Sequence, residues 1–213
     1  MNMYQNLWNT IRKDLENYSE FEDSTYYLCE GGFSTIYINN EIVFKVEHAC
    51  LDNFDMEIDC FRETIGGELY SDFVILADLS NSNSFVKLLD RIDYSITVMP
   101  YIKGKRLISI YFDNNFEIPE VYLNQIREAF RFAIQKGWFP YDNHVDDVFV
   151  HEDDSITIID VNLYQRISYI KENCPSTNHY TIEDWVDLAM KCFLNESARF
   201  KIYSDYDNLL KNA

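Results

Sequence analysis

GWFPYDNHVDDVFVHEDDSITIIDVN, residues 137–162, is the stretch on which the reading of the fold turns. Its leading glycine closes a helical pattern over residues 119–136, with Pro119 near the first turn. Two short apolar runs follow, Val148–Val150 and Ile156–Ile159, joined by the acidic turn His151–Ser155, and they read as a hairpin. Three carboxylates surround it. Asp142 lies in the loop that leaves the helix, Asp147 directly precedes the first strand, and Asp160 directly follows the second. Glu152, Asp153 and Asp154 belong to the turn and read as solvated. Asp160 does not, because four residues of high β-propensity run straight into it. Carboxylates at loop and strand ends suit a hard cation such as Mg²⁺, which is shared between one or two acids and phosphate oxygens.

Upstream, residues 5–18 place Leu7, Trp8, Ile11 and Leu15 at helical spacing. Residues 26–46 alternate differently: an apolar run from Tyr26, the pair Gly31-Gly32, the run Thr35–Ile38, the pair Asn39-Asn40, then Ile42–Val46. That is strand, Gly turn, strand, Asn turn, strand. A helix is expected over 52–65, on Phe54, Ile58, Phe61 and Ile65. Residues 66–84 read as an apolar segment followed by the loop Ser80–Ser84, and strands are expected at Phe85–Leu89 and Ser95–Met99. Beyond Pro100 the pattern is mostly helical, ending with Trp185, Leu188, Ala189 and Cys192 on one face. A strand-rich first part thus precedes a helix-rich second part, with the change near residue 101. This is an α+β chain of two lobes, for which a cleft between lobes is the natural ligand site.

Three upstream features bear on chemistry. Gly31, Gly32 and Ser34 supply the small residues that let backbone N–H groups approach a phosphate, although a plain glycine hairpin has the same look. Lys45 is a lone cation in the apolar run IVFKV, costly there without a partner; Glu57 on the next helix is a candidate partner, and a snorkelling edge lysine is the plainer reading. The segment TVMPYIKGKRL, residues 97–107, is an apolar strand that ends at a proline and turns at Gly104. It suits either the presentation of backbone groups to a planar base or a simple interlobe linker.

Composition narrows the classes. The 213 residues carry 18 Lys+Arg against 36 Asp+Glu, a net charge of −18, while 47% are hydrophobic. The charge argues against non-specific nucleic-acid binding, and the apolar content against a disordered acidic chain. No run is long and apolar enough for a membrane span, and the N-terminus lacks the apolar core of an ordinary signal peptide, so a cytoplasmic protein is expected. The five cysteines form no C-x-x-C pair and read as free thiols; the four histidines show no H-E-x-x-H spacing.

From about residue 26 to about 193 the chain resembles the protein-kinase-like superfamily. Cys29, Gly31 and Ser34 stand where the nucleotide loop has its glycines, Lys45 matches the third-strand lysine, and Glu57 matches its helix partner. Val98–Ile102 resembles the gatekeeper and hinge. Gly137–Asp142 stands where the family has Gly-Ile-Ile-His-Arg-Asp. Asp147, five positions later, takes the place of the asparagine, and Asp160-Val161-Asn162 that of Asp-Phe-Gly, at the family's usual spacing from Asp142. Asp184–Ala189 resembles the start of the large C-lobe helix. A competing frame on His144 and Asp146 puts His151 at the asparagine position and brings the catalytic loop too close to Asp160, so it is set aside.

The resemblance implies a bilobal kinase-like fold as a single domain over 1–213: a helical extension (1–24), a strand-rich N-lobe (25–100) and a short helical C-lobe (101–213). It implies Asp142, Lys45 and Asp160 as catalytic residues, Asp147 and Asp160 as metal ligands, and Gly31, Gly32, Ser34, Lys45, Glu57, Met99 and Tyr101 as the binding set for ATP with Mg²⁺ or Mn²⁺. The implied activity is that of a minimal Ser/Thr protein kinase acting on a protein. The catalytic-loop His-Arg is Pro140-Tyr141, and the stretch from Asp160 to Asp184 leaves little room for an activation segment. This short architecture resembles the minimal kinases that bacterial pathogens deliver into host cells, which would make the substrate a host protein. Three alternatives stay open: a pseudokinase, a small-molecule kinase of the aminoglycoside phosphotransferase type, and an acidic decoy that mimics nucleic acid.

Overall fold

The alternating run from residue 27 to 47 forms β1 (Tyr27–Glu30), β2 (Ser34–Asn39) and β3 (Ile42–Glu47), three antiparallel strands. Between β2 and β3, Asn40 and Glu41 both have positive φ, 52° and 63°. That is the two-residue turn whose twist matches a hairpin. The computed structural model describes residues 2–18, 20–30, 34–47, 72–79, 81–92, 96–161 and 163–211. The expected helix over 52–65, together with Gly31, Gly32, Glu57 and Asn162, lies outside them.

The described chain is mixed α+β and divides into two compact units, Met1–Ala77 with Lys87–Tyr101, and Asp78–Val86 with Ile102–Ala213. In the first unit β4 (Asp90–Ile92) and β5 (Ile96–Pro100) complete a five-stranded antiparallel sheet in the order β1-β2-β3-β5-β4. Helix α1 (Met3–Leu15) begins at Asn2, whose side chain accepts from the Tyr4 N–H. Its Trp8 and Ile11 are buried with Tyr37, Phe44, Ile92, Ile96 and Val98. Burying these two side chains contributes about 1.5–3 kcal/mol each. The N-terminal helix therefore covers one face of this sheet.

Register separates the two faces. Phe44 lies opposite Tyr37 and Val98, and this row meets α1, with the Trp8 and Phe44 rings 5.7 Å apart. Lys45, the next residue, must point the other way, in a row with Ile36 and Thr97.

The expected strand Phe85–Leu89 is absent as such. Phe85 makes a single parallel bridge to Ile158, and the Val86 N–H donates to the Ile158 carbonyl, both within the second unit. Leu89 packs on the core of the first. One apolar run thus serves two cores, and the strand that pairs with β5 begins only at Asp90. Residues 78–86, expected in the N-lobe, belong to the second unit through these contacts and through Asp78. Helix α2 (Asp72–Leu79) has no helical signature in the sequence. Its residues DFVILADL are apolar on nearly every side and lack a helical period.

The second unit contains β6 (Lys105–Arg106), α3 (Leu107–Asp113), α4 (Glu120–Gln135), β7 (Trp138–Phe139), β8 (Val148–Val150), β9 (Ile156–Ile158), β10 (Gln165–Arg166), α5 (Ile167–Asn173) and α6 (Ile182–Lys211). Gly137 ends α4 with φ +87°, as the sequence suggests. The Phe130 ring of α4 meets Phe193 of α6 edge-on at 5.9 Å, and Arg131 pairs with Glu183. The helix expected from Asp184 onward runs to Lys211. Asp184 is exposed and caps its start, accepting from the Thr181 N–H and hydroxyl at 2.8 and 2.7 Å. Among the described residues no helix is long and apolar enough to cross a membrane.

Candidate functional site

Two strand pairings in the second unit bring the three predicted carboxylates together. β8 pairs with β9, Val148 opposite Ile158. β7 pairs with β10, Phe139 opposite Gln165 and Trp138 opposite Arg166. The β7–β8 connection, residues 140–147, carries Asp142 and Asp147; the β9–β10 connection, residues 159–164, carries Asp160. Both connections are bounded by the same two ladders, so they lie side by side. The Ile159 N–H donates to the Asp147 carbonyl at 2.9 Å and stitches them at their inner ends. At the outer end Asp78 accepts from Trp138 Nε1 at 2.9 Å and from Arg166 Nη2 at 3.1 Å, while the Arg166 guanidinium lies 3.6 Å from the Trp138 ring centroid.

The two connections enclose a small pocket lined by Asp142, Asn143, His144, Asp147, Asp160, Leu163 and Tyr164. It offers about 40 Å³ to the centres of water-sized guests, against ~10–15 Å³ for one water. An ion with one or two waters fits such a volume.

Asp147 is buried. Its Oδ2 accepts from the His144 N–H at 2.9 Å, lies 3.5 Å from Asn143 Nδ2 and 3.3 Å from His144 Nδ1. Burial, and then the neighbouring Asp160, still push its carboxyl well above the usual range. The half-buried Asp142 is also raised, first by desolvation and then by Glu196 on α6, against the pull of His144 and Arg199. The same helix braces the Asp142 loop: the Val145 N–H donates to Ser197 Oγ at 3.2 Å, and Phe200 meets the His144 ring at 5.1 Å.

Among the described residues no three His, Cys, Asp or Glu side chains form a ready-made metal cage. The donor set nevertheless fits Mg²⁺, which keeps waters and takes one or two carboxylates plus phosphate oxygens. The neighbouring Asp160 raises the affinity of the buried Asp147 carboxyl for positive charge, whether proton or cation.

The other predicted group lies in the first unit. Ser34, Lys45 and Met99 share the sheet face opposite α1: Ser34 pairs with Glu47, two residues from Lys45, and Met99 pairs with Val43, two residues the other way. Lys45 is 5% exposed and Thr97 beside it 1%. Tyr101 is exposed just past β5, and its N–H donates to the Glu41 carbonyl at 2.7 Å.

Asn143, Tyr164 and the α6 residues Glu196, Ser197 and Phe200 join the site without any forewarning in the sequence. A buried asparagine between two charged or polar loop neighbours has no sequence signature, and α6 reaches the loop only through tertiary packing. No protein-family model matches the chain, and no curated protein matches it.

Proposed function

We propose that the chain is an ATP-dependent phosphotransferase of the protein-kinase type, acting on a hydroxyl of a protein. The observation that carries this reading is the convergence of Asp142, Asp147 and Asp160 on one small polar pocket, with the order and spacing of the kinase resemblance. Asp160 and Asp147 hold the divalent cation, and Lys45 holds the α/β-phosphates. When bound, the cation neutralises charge on the transferred phosphoryl group. Asp142 orients the acceptor hydroxyl and takes its proton as the new oxygen–phosphorus bond forms and the bond to the departing diphosphate breaks. Its raised proton affinity makes it a stronger base than an ordinary aspartate. Met99 and Tyr101 border the base through their side chains, since the Tyr101 N–H is spent on the Glu41 carbonyl and Met99 pairs with Val43, and Ser34, at the start of β2, lies beside the phosphates.

The second reading is nucleotide binding without transfer. Asp147 favours it, because its Oδ2 is already engaged by the His144 N–H. Labelled ATP with Mg²⁺ or Mn²⁺ decides the matter. Wild type transfers label to itself or to an added protein, and Asp160→Ala and Lys45→Met lose about a hundredfold or more. Equal signal from all three proteins refutes the enzyme; binding of Mn²⁺–ATP with no transfer selects the second reading.

A further inference from the structure

Asn143 and Tyr164 are 4% and 2% exposed, yet both are polar. Desolvating an amide and a phenol costs free energy unless every group finds a partner. Here they partner each other. The Tyr164 hydroxyl donates to Asn143 Oδ1. Asn143 Nδ2 in turn donates to the Asp160 carbonyl at 2.6 Å and lies 3.5 Å from Asp147 Oδ2. The chain of bonds crosses from the 159–164 connection to the 140–147 connection and back to Asp160. Its outer end is fixed, since the Tyr164 ring stands edge-on to Phe85 at 6.2 Å and the Tyr164 N–H closes a turn on the Val161 carbonyl at 3.0 Å. Phe85 is itself bridged to Ile158, two residues before Asp160.

We infer that Tyr164 and Asn143 are a positioning pair, whose hydrogen bonds hold the Asp160 backbone so that its carboxylate meets the cation and phosphates alongside Asp147. Neither side chain touches the reacting atoms. The amide of Asn143 is spent on both sides, its oxygen on Tyr164 and its nitrogen on Asp160, so it acts as a tie and not as a ligand. The inference rests on the phosphotransferase reading above.

The test measures Mn²⁺ bound in the presence of ATP, by electron paramagnetic resonance, on the full chain. Tyr164→Phe removes only the donor oxygen; Asn143→Ser breaks the relay from the other side. Each weakens Mn²⁺–ATP binding about 10-fold, the usual cost of removing a group that orients a metal ligand. The double variant is no weaker than the worse single one, because both break the same chain. Ile126→Val, in the α4 core, lowers thermal stability and leaves the affinity unchanged, which separates positioning from general loosening. Should Tyr164→Phe lack a cooperative unfolding transition, Asn143→Ser decides alone. Wild-type binding with unaltered affinity in both variants overturns the inference and leaves the phosphotransferase standing. A wild type that binds no Mn²⁺–ATP removes the reading and the inference together.

Discussion

Removing the Asp78 carboxylate tests how the two site-bearing connections are held. Trp138 is fully buried, and its Nε1–H donates to Asp78 Oδ2 at 2.9 Å. The same oxygen accepts from Arg166 at 3.1 Å. In Asp78→Ala the buried indole loses a charged acceptor, which costs ~1–3 kcal/mol. The pair with the half-exposed Arg166 adds ~0–1 kcal/mol, the ordinary worth of a solvated ion pair. The expected loss is therefore about 1–4 kcal/mol, or about 2–16 °C in melting temperature for a chain of this size. Asp78→Asn keeps an amide oxygen for the indole and should lose only ~1 kcal/mol. Urea unfolding followed by tryptophan fluorescence measures both variants, since two of the three tryptophans, Trp138 and Trp185, lie in the second unit. A loss in Asp78→Ala no larger than an ordinary surface substitution gives, about 0.5 kcal/mol, or an equal loss in both variants, would refute the claim that this carboxylate satisfies Trp138 and pins the β7–β10 pair.

Glu41 occupies a left-handed turn position at φ 63°. Glu41→Gly should stabilise the protein by ~1 kcal/mol in urea titration, because a side chain is unfavourable there. A Cβ on Gly104 would come within 2.7 Å of the Val150 carbonyl oxygen. Gly104→Ala should accordingly push β6 off β8 and cost ~1–3 kcal/mol, visible as a lower melting temperature. The raised carboxyls of Asp142 and Asp147 set a pH trend in the cation-free protein. The folded state keeps protons there that the unfolded chain has released, so their contribution is full below the ordinary carboxylate range and is lost as pH rises through the raised values. Asp147→Asn should then gain stability relative to wild type between pH 4 and pH 8, and a difference between the two that is constant with pH would contradict the assignment.

Much of the architecture is legible in the chain itself. Short apolar runs bounded by Gly, Asn or acidic turns mark β2, β3, β5, β8 and β9, and helical spacing marks α1 and α4, with Gly137 as the stop. These signals are local: a half-buried helix repeats its apolar residues at its own period, and a short apolar run closed off by turn residues reads as a buried strand. Helices α2 and α3 leave no such mark. LISIYFD, the sequence of α3, is a short and mostly apolar run, and DFVILADL is apolar almost throughout, so only packing could decide. The run at residues 85–89 has the look of a strand and is not one, because its residues divide between two cores, a fact about space that no window of sequence contains.

The site shows the same division. Asp160 is visible because a charge directly after four residues of high β-propensity is locally anomalous, and Asp142 and Asp147 are visible through their spacing from it in the resemblance. Lys45 is visible because a cation in an apolar strand is anomalous too. Tertiary structure alone decided which neighbours they have. The nested pairings β7–β10 and β8–β9 lay two connections against each other, α6 returns from far along the chain to brace the Asp142 loop, and the sheet register puts Ser34, Lys45 and Met99 on one face. Asn143 and Tyr164, on different connections, become partners only when both are taken out of water. The chain's own pattern chooses the elements, since burial of a periodic face is a local requirement. Partnership between buried polar groups is a property of the assembled core, where desolvation makes each one's cost depend on the other.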